Sequence, residues 1–179
     1  TTLVFGPGVT AQSTTVSIIP DRLVEGIEVF GLRLANISGG ANYGYLSNSV
    51  ASIIDANAYG QITFSAPVYF IREDGGTAVI PVNRINGDAE QVAVQFFTTP
   101  GTAVSGVHYV DRAGTFIFAD GQTTTNILVP IVNDLLSQPN RTVSITLSNF
   151  SKATPGPFTN ATLTIFDDES LVAPAGTLN

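Results

Sequence analysis

The feature that most constrains this chain is that it repeats itself. TLVFGPGVTAQSTTVSIIPD (2–21) lies over TFIFADGQTTTNILVPIVND (115–134) at a constant offset of 113, and GLRLANIS (31–38) lies over SITLSNFS (144–151) at the same offset. After a one-residue slip, SIIDAN (52–57) lies over TIFDDE (164–169). A gapless match of this length means shared structure, because each copy must bury the same side chains. The chain is therefore read as the second half of one repeat (1–57), a short joint (58–60), one complete repeat (61–169) and a tail (170–179). The joint is too short for a flexible linker, so the two units are expected end to end with limited freedom.

Inside the complete repeat the pattern is all-β. Strands are expected at 61–65, 68–73, 77–85, 90–98, 114–119, 124–132, 141–149 and 160–167. Several of these alternate apolar and polar residues with period two, as in TVSITL and ATLTI. NGD (86–88) between two such runs reads as a hairpin turn. Eight short strands without a helical stretch predict an antiparallel two-sheet sandwich of immunoglobulin-like size, in tandem. Apolar residues at 44% allow a real core, and charged residues are only 12%. With seven cations against 14 acids and a net charge of −7, there is no basic cluster for nucleic acid. The absence of cysteine removes disulfides, thiol nucleophiles and zinc–thiolate sites. No apolar run approaches the ~20 residues of a membrane span, so no membrane insertion is expected. The chain opens as if mid-strand, at TTLVF, as a piece of a longer precursor would.

REDGGTAVIPVNRINGDAEQVAVQFFTTPGTAVSGVHY, then GTFIFADGQTTTNILVPIVND, then ATLTIFDDE resembles a Calx-β domain. The resemblance covers the complete repeat and, over 1–57, the C-terminal half of another. It implies a seven- or eight-stranded sandwich whose loops at one end can bind Ca²⁺, a cation that takes six to eight oxygens. Carried over, Glu73, Asp134, Asp167, Asp168 and Glu169 stand at ligand positions of the complete repeat. Departures are as prominent: His108, Asn133, Gln138 and Arg141 replace four acidic residues. The resemblance therefore implies weak or no Ca²⁺ there, with Arg141 free to pair with Asp134, Asp167 or Asp168. The half-repeat kept Asp21, Glu25, Glu28 and Asp55, while Pro20 replaces the first loop Asp. For these acids two readings stand: a solvated acidic loop, and a Ca²⁺ site needing ligands from elsewhere. His108, with Asp111 three residues on, has no nucleophile spacing around it, so no enzyme is expected.

Residues 1–57 are expected to form about four strands with an uncovered apolar face. Their partners are expected to be neighbouring repeats or other copies of the chain, through strand complementation in trans or by an upstream segment of the same protein. The function expected is a structural or adhesion repeat of a secreted or cell-surface protein, such as a stalk, filament or matrix module, with an unknown glycan or protein ligand. The rival is a Ca²⁺-binding regulatory segment of a membrane transporter such as a sodium–calcium exchanger.

Overall fold

The structure is a computed structural model and describes residues 1–169. The tail at 170–179 lies outside them. The half-repeat contributes β1 (Glu28–Arg33) and β2 (Asn48–Ile53), paired antiparallel. The complete repeat contributes β3 (Gln61–Phe64), β4 (Val68–Arg72), β5 (Thr77–Ile85), β6 (Val92–Pro100), β7 (Ala113–Phe118), β8 (Thr124–Pro130), β9 (Arg141–Ser151), β10 (Thr154–Pro155) and β11 (Asn160–Phe166). These form two facing sheets, β10-β3-β5-β8 and β4-β11-β9-β6-β7. The immunoglobulin-like sandwich predicted from period-two alternation is present. Two of its pairings, β4 with β11 and β10 with β3, are parallel. Pro67 breaks the first strand run, and Tyr69 Oη, 2.8 Å from Ser65 Oγ, accepts the Ala66 N–H where the chain changes sheets.

The core lies wholly in the complete repeat. Ile62, Phe64, Ile80, Val82, Val94, Tyr109, Phe118, Ile127, Val129, Val143, Ile145 and Leu163 are all at most 1% exposed. Apart from Tyr109, which lies between β6 and β7, they sit at alternate positions of their strands, so each sheet turns one apolar face inward. β5 carries the alternation furthest: Ala78, Ile80, Val82 and then Arg84 point inward. Arg84 is 3% exposed and donates to the carbonyls of Tyr59, Ala89, Glu90 and Ala119. One buried guanidinium thus ties the joint to two loops at that end of the sandwich.

Residues 1–57 differ from the expectation. They form two strands among the described residues, where about four were expected, and none of them is buried. Residues 2–19 are not strands although they match β7 and β8. The reason is pairing. In the complete repeat β7 bonds to β6 and β8 bonds to β5, and the half-repeat contains no counterpart of either. The pair it does contain forms in the same register. Glu28 faces Ile53 and Arg33 faces Asn48, as Arg141 faces Ile165 and Thr146 faces Asn160.

Candidate calcium-loop sites

Strand direction places the two acidic loop sets at different ends of the complete repeat. Glu73 follows β4, Asp134 follows β8, and Asp167, Asp168 and Glu169 follow β11, all at the end distal to the joint. The matching loop of the half-repeat, 19–27, precedes β1, and its Glu25 N–H donates to Asp55 in the segment that runs from β2 into the joint.

At the distal end, one oxygen each of Glu73, Asp134 and Glu169 lie within 4.8 Å of one another. Glu73 is only 6% exposed, and its Oε1, with Asp168 Oδ1 and Glu169 Oε2, has no hydrogen-bond partner. Burial, then the neighbouring carboxyl of Glu169, push the Glu73 carboxyl up to about 7. Orphaned carboxylate oxygens in such a place fit either a shared proton or a cation. Asp167 Oδ1 accepts the Gln138 N–H at 2.9 Å, and Asp168 takes Arg72 at 3.5 Å. Gln138 fills the centre: its Nε2 donates to Asp134 Oδ2 at 2.8 Å, and its Oε1 accepts from Arg141 Nη2 at 3.0 Å. His108 receives the Val104 N–H on Nδ1 at 2.9 Å, which leaves the proton on Nε2, 3.3 Å from Gln138 Oε1. The pairing expected of Arg141 with Asp134, Asp167 or Asp168 is therefore corrected. Its contact among the described residues is the Gln138 amide, which stands between it and Asp134.

At the joint, Asp21, Glu25, Glu28 and Asp55 line an open groove of about 500 Å³, with Val16, Ile18, Phe30 and Ile53 as its apolar floor. This groove is the inner face of half a sandwich. Asp55 accepts the N–H groups of Asn57 and Glu25, which hold its carboxyl below the usual range. The Glu25 carboxyl is raised, first by Asp21, then by Glu28, by slight desolvation and by Asp55. Four acids share this groove, and the cation of that loop, Arg22, points the other way. It reaches Asp120 at 2.8 Å and Asp88 at 3.1 Å on the complete repeat. Val24 N–H donates to Glu90 Oε1 at 3.0 Å, and Lys152 pairs with Glu90 Oε2. Gly60 and Gly87, both at positive φ, let the joint lie against the 86–88 turn, where a Cβ on either would strike backbone.

Sequence reasoning missed this clamp of Arg22, Asp88, Glu90, Asp120 and Lys152. It also missed Arg84, although a cation in the inward phase of the β5 alternation was a usable signal.

The Calx-beta domain family matches residues 1–57 and again 55–169. The chain is 32% identical over 149 residues to Sodium/calcium exchanger 2 of Homo sapiens, a match covering 74% of this chain and 16% of that protein. It is 29% identical over 136 residues to Extracellular matrix organizing protein FRAS1 of Homo sapiens, covering 74% of this chain and 3% of that protein. The chain thus spans a small part of each relative. Among solved structures, CBD12 from CALX1.2 superposes with a TM-score of 0.59 at 25% identity, covering 60% of this chain and 45% of that one. The apo-form Calx CBD1 domain gives 0.59 at 24%, covering 61% and 97%. With two segments in register with one family profile, and the sandwich of that family in the complete copy, the chain belongs to the Calx-beta domain family.

Proposed function

We propose that this chain is a non-catalytic structural array of Calx-beta repeats from a secreted or cell-surface protein, working as a stalk, filament or matrix module. The observation that carries this reading is Gln138. Its amide bridges Asp134, Arg141 and His108, so the residues standing at loop-acid positions spend polar atoms on one another. The joint is likewise held by side chains, through Arg22 on Asp88 and Asp120 and through Glu90, which accepts the Val24 N–H. A likeness to a matrix-organizing protein supports the same reading. Against catalysis, His108 spends both ring nitrogens on structural partners. The residues still fit a cation in part: Glu73, Asp134 and Glu169 could supply three oxygens to Ca²⁺, whose remaining positions water would fill.

A second reading, a Ca²⁺-binding regulatory segment of a membrane transporter, is favoured by one observation. Asp21, Glu25, Glu28 and Asp55 share the groove at the joint, and charge crowding there raises Glu25. Calcium titration by calorimetry, with small-angle scattering on the same samples, separates the two. The structural reading expects affinity no tighter than about 10⁻⁴ M and an unchanged particle shape. Affinity of about 10⁻⁷–10⁻⁵ M with a change in shape would establish the sensor instead.

A further inference from the structure

Among the described residues the sandwich of the complete repeat has four strand edges, β10, β8, β4 and β7, and they are unequal. β10 is a two-residue edge that ends at Pro155. β8 is closed at both ends: Thr124 O accepts Gln122 Nε2 at 3.1 Å, and Pro130, which has no N–H, accepts the Val110 N–H at 2.9 Å. β4 follows Pro67 and ends in Arg72, a charge on the edge. Short length, proline and charge all keep an edge from pairing with another chain. β7 reads AGTFIF and has none of these features.

The phase of the β6–β7 ladder decides which groups of β7 are open. The Thr98 N–H donates to Arg112 O at 2.8 Å, so residues 112, 114, 116 and 118 direct their backbone groups to β6. Ala113, Thr115 and Ile117 therefore direct theirs to the other side, where no described residue meets them. All three are exposed, Ile117 at 60%. Just past the strand the open run ends, because Ala119 donates its N–H to Gln122 Oε1 and accepts the Gln122 N–H on its carbonyl.

We propose that β7 is a self-pairing edge, along which a second copy of this chain lays its own β7 antiparallel, about a two-fold axis through Thr115. The pairing joins the two five-stranded sheets edge to edge. Thr115 then faces the partner's Thr115, and Ile117 faces the partner's Ala113. Every open N–H and C=O of the three residues is used, with two bonds in each facing pair. Moving the axis to Phe116 sets Ala113 against the partner's Ala119, whose groups Gln122 already holds. Moving it to Gly114 sets Ile117 against the charge of the partner's Asp111. The side chains fit the Thr115 axis as well. Residues 113–118 carry no charge, so like charges do not meet directly across the seam. On the outer face threonine meets threonine and isoleucine covers alanine, and on the inner face Gly114 leaves room for the partner's Phe116 ring. The contact uses no residue of either acidic loop set, and it goes beyond the array and sensor readings alike.

Sedimentation velocity and amide hydrogen exchange, run on the whole chain over a range of concentrations, test this. A monomer–dimer equilibrium is expected, with the Ala113, Thr115 and Ile117 amides exchanging roughly tenfold or more slowly at high concentration than at low. The chain has no cysteine, so introduced single cysteines report the register. Facing residues of a hydrogen-bonded pair have Cα atoms about 5.5 Å apart, within disulfide reach. Thr115→Cys should therefore give a disulfide-linked dimer on mild oxidation. Ala113→Cys and Ile117→Cys should not link alone but should link to each other when mixed. Thr115→Pro deletes an N–H that β6 does not use, and Ile117→Lys puts a charge on an exposed side chain of the edge. Each should weaken the dimer by roughly tenfold or more, and Ile117→Lys should leave the thermal unfolding of the monomer unchanged. A chain that stays monomeric at roughly 1 mM overturns the proposal. So does a dimer that withstands Ile117→Lys, or one that protects amides of residues 2–18 and leaves 113, 115 and 117 at their monomer rates. Equal self-linking of all three cysteine variants overturns it too.

Discussion

Residues 2–19 and residues 115–132 are the same run of sequence in two settings. In one setting the run forms most of β7 and all of β8, and its alternate side chains are sealed in the core. In the other it forms no strand. Intrinsic β preference is matched between the copies, so preference is not what makes the strand. A strand needs a neighbour for its N–H and C=O groups and a facing sheet for its apolar side. β1 and β2 sharpen the point. They pair in the native register because both members of that pair survive, and their inner face stays in water because the opposite sheet does not.

The largest effect expected from this contrast concerns a matched pair of substitutions. Ile145→Ala removes a fully buried side chain from β9 and should cost about 2–5 kcal/mol of unfolding free energy, through lost transfer energy and the cavity left behind. Leu32→Ala, at the matching position of β1, removes a side chain that is already 40% exposed and faces no opposite sheet. It should change stability by about 0.5 kcal/mol or less. Urea denaturation of both variants measures this directly. Equal costs would mean that the half-repeat has a core, and the contrast would fail.

The complete repeat was legible in the sequence because both faces of its sheets obey one rule. Inward residues of β5, β9 and β11 alternate strictly, so strand positions follow from period two, with ends shifted by up to about two residues. The half-repeat was less legible, since sequence carries the pattern of a strand but not the presence of its partner. The acidic loops were legible as residues, but their contacts were not. Replacement of acids by Gln138 and Arg141 reads as loss of ligands. That the Gln138 amide would join Asp134, Arg141 and His108, with Asp168 left to Arg72, depends on side-chain directions that spacing does not encode.

The two acid sets also differ in why a carboxyl is raised. Glu73 is raised mainly by burial, and Glu25 mainly by the charge of Asp21. A carboxyl raised to about 7 in the folded state, against 4.5 when unfolded, favours folding most when protonated. Its contribution is complete below about 4.5 and is lost as pH rises through about 7. The complete repeat should therefore lose thermal stability between pH 5 and pH 8, by more than the Glu73→Gln variant does. Melting curves across that range in both proteins provide the measurement. Parallel pH profiles would show that Glu73 is ionised in the fold, and hence that the cluster is better solvated than its burial indicates.

The smallest effect separates the two causes by salt. Charge crowding among exposed groups is screened, with a Debye length of about 10 Å at 0.1 M and about 3 Å at 1 M. Desolvation is not screened, because it reflects missing water around the group rather than neighbouring charge. Glu25 lies in an open groove, so raising the salt should bring its carboxyl back toward the ordinary glutamate range. Glu73 should keep most of its shift. Carboxyl carbon chemical shifts followed by NMR through a pH titration at low and high NaCl resolve the two residues. If Glu25 holds its position in 1 M salt, its elevation comes from burial. The groove of the half-repeat is then drier than an uncovered half-sandwich allows, and the contrast between the two repeats narrows at its most exposed point.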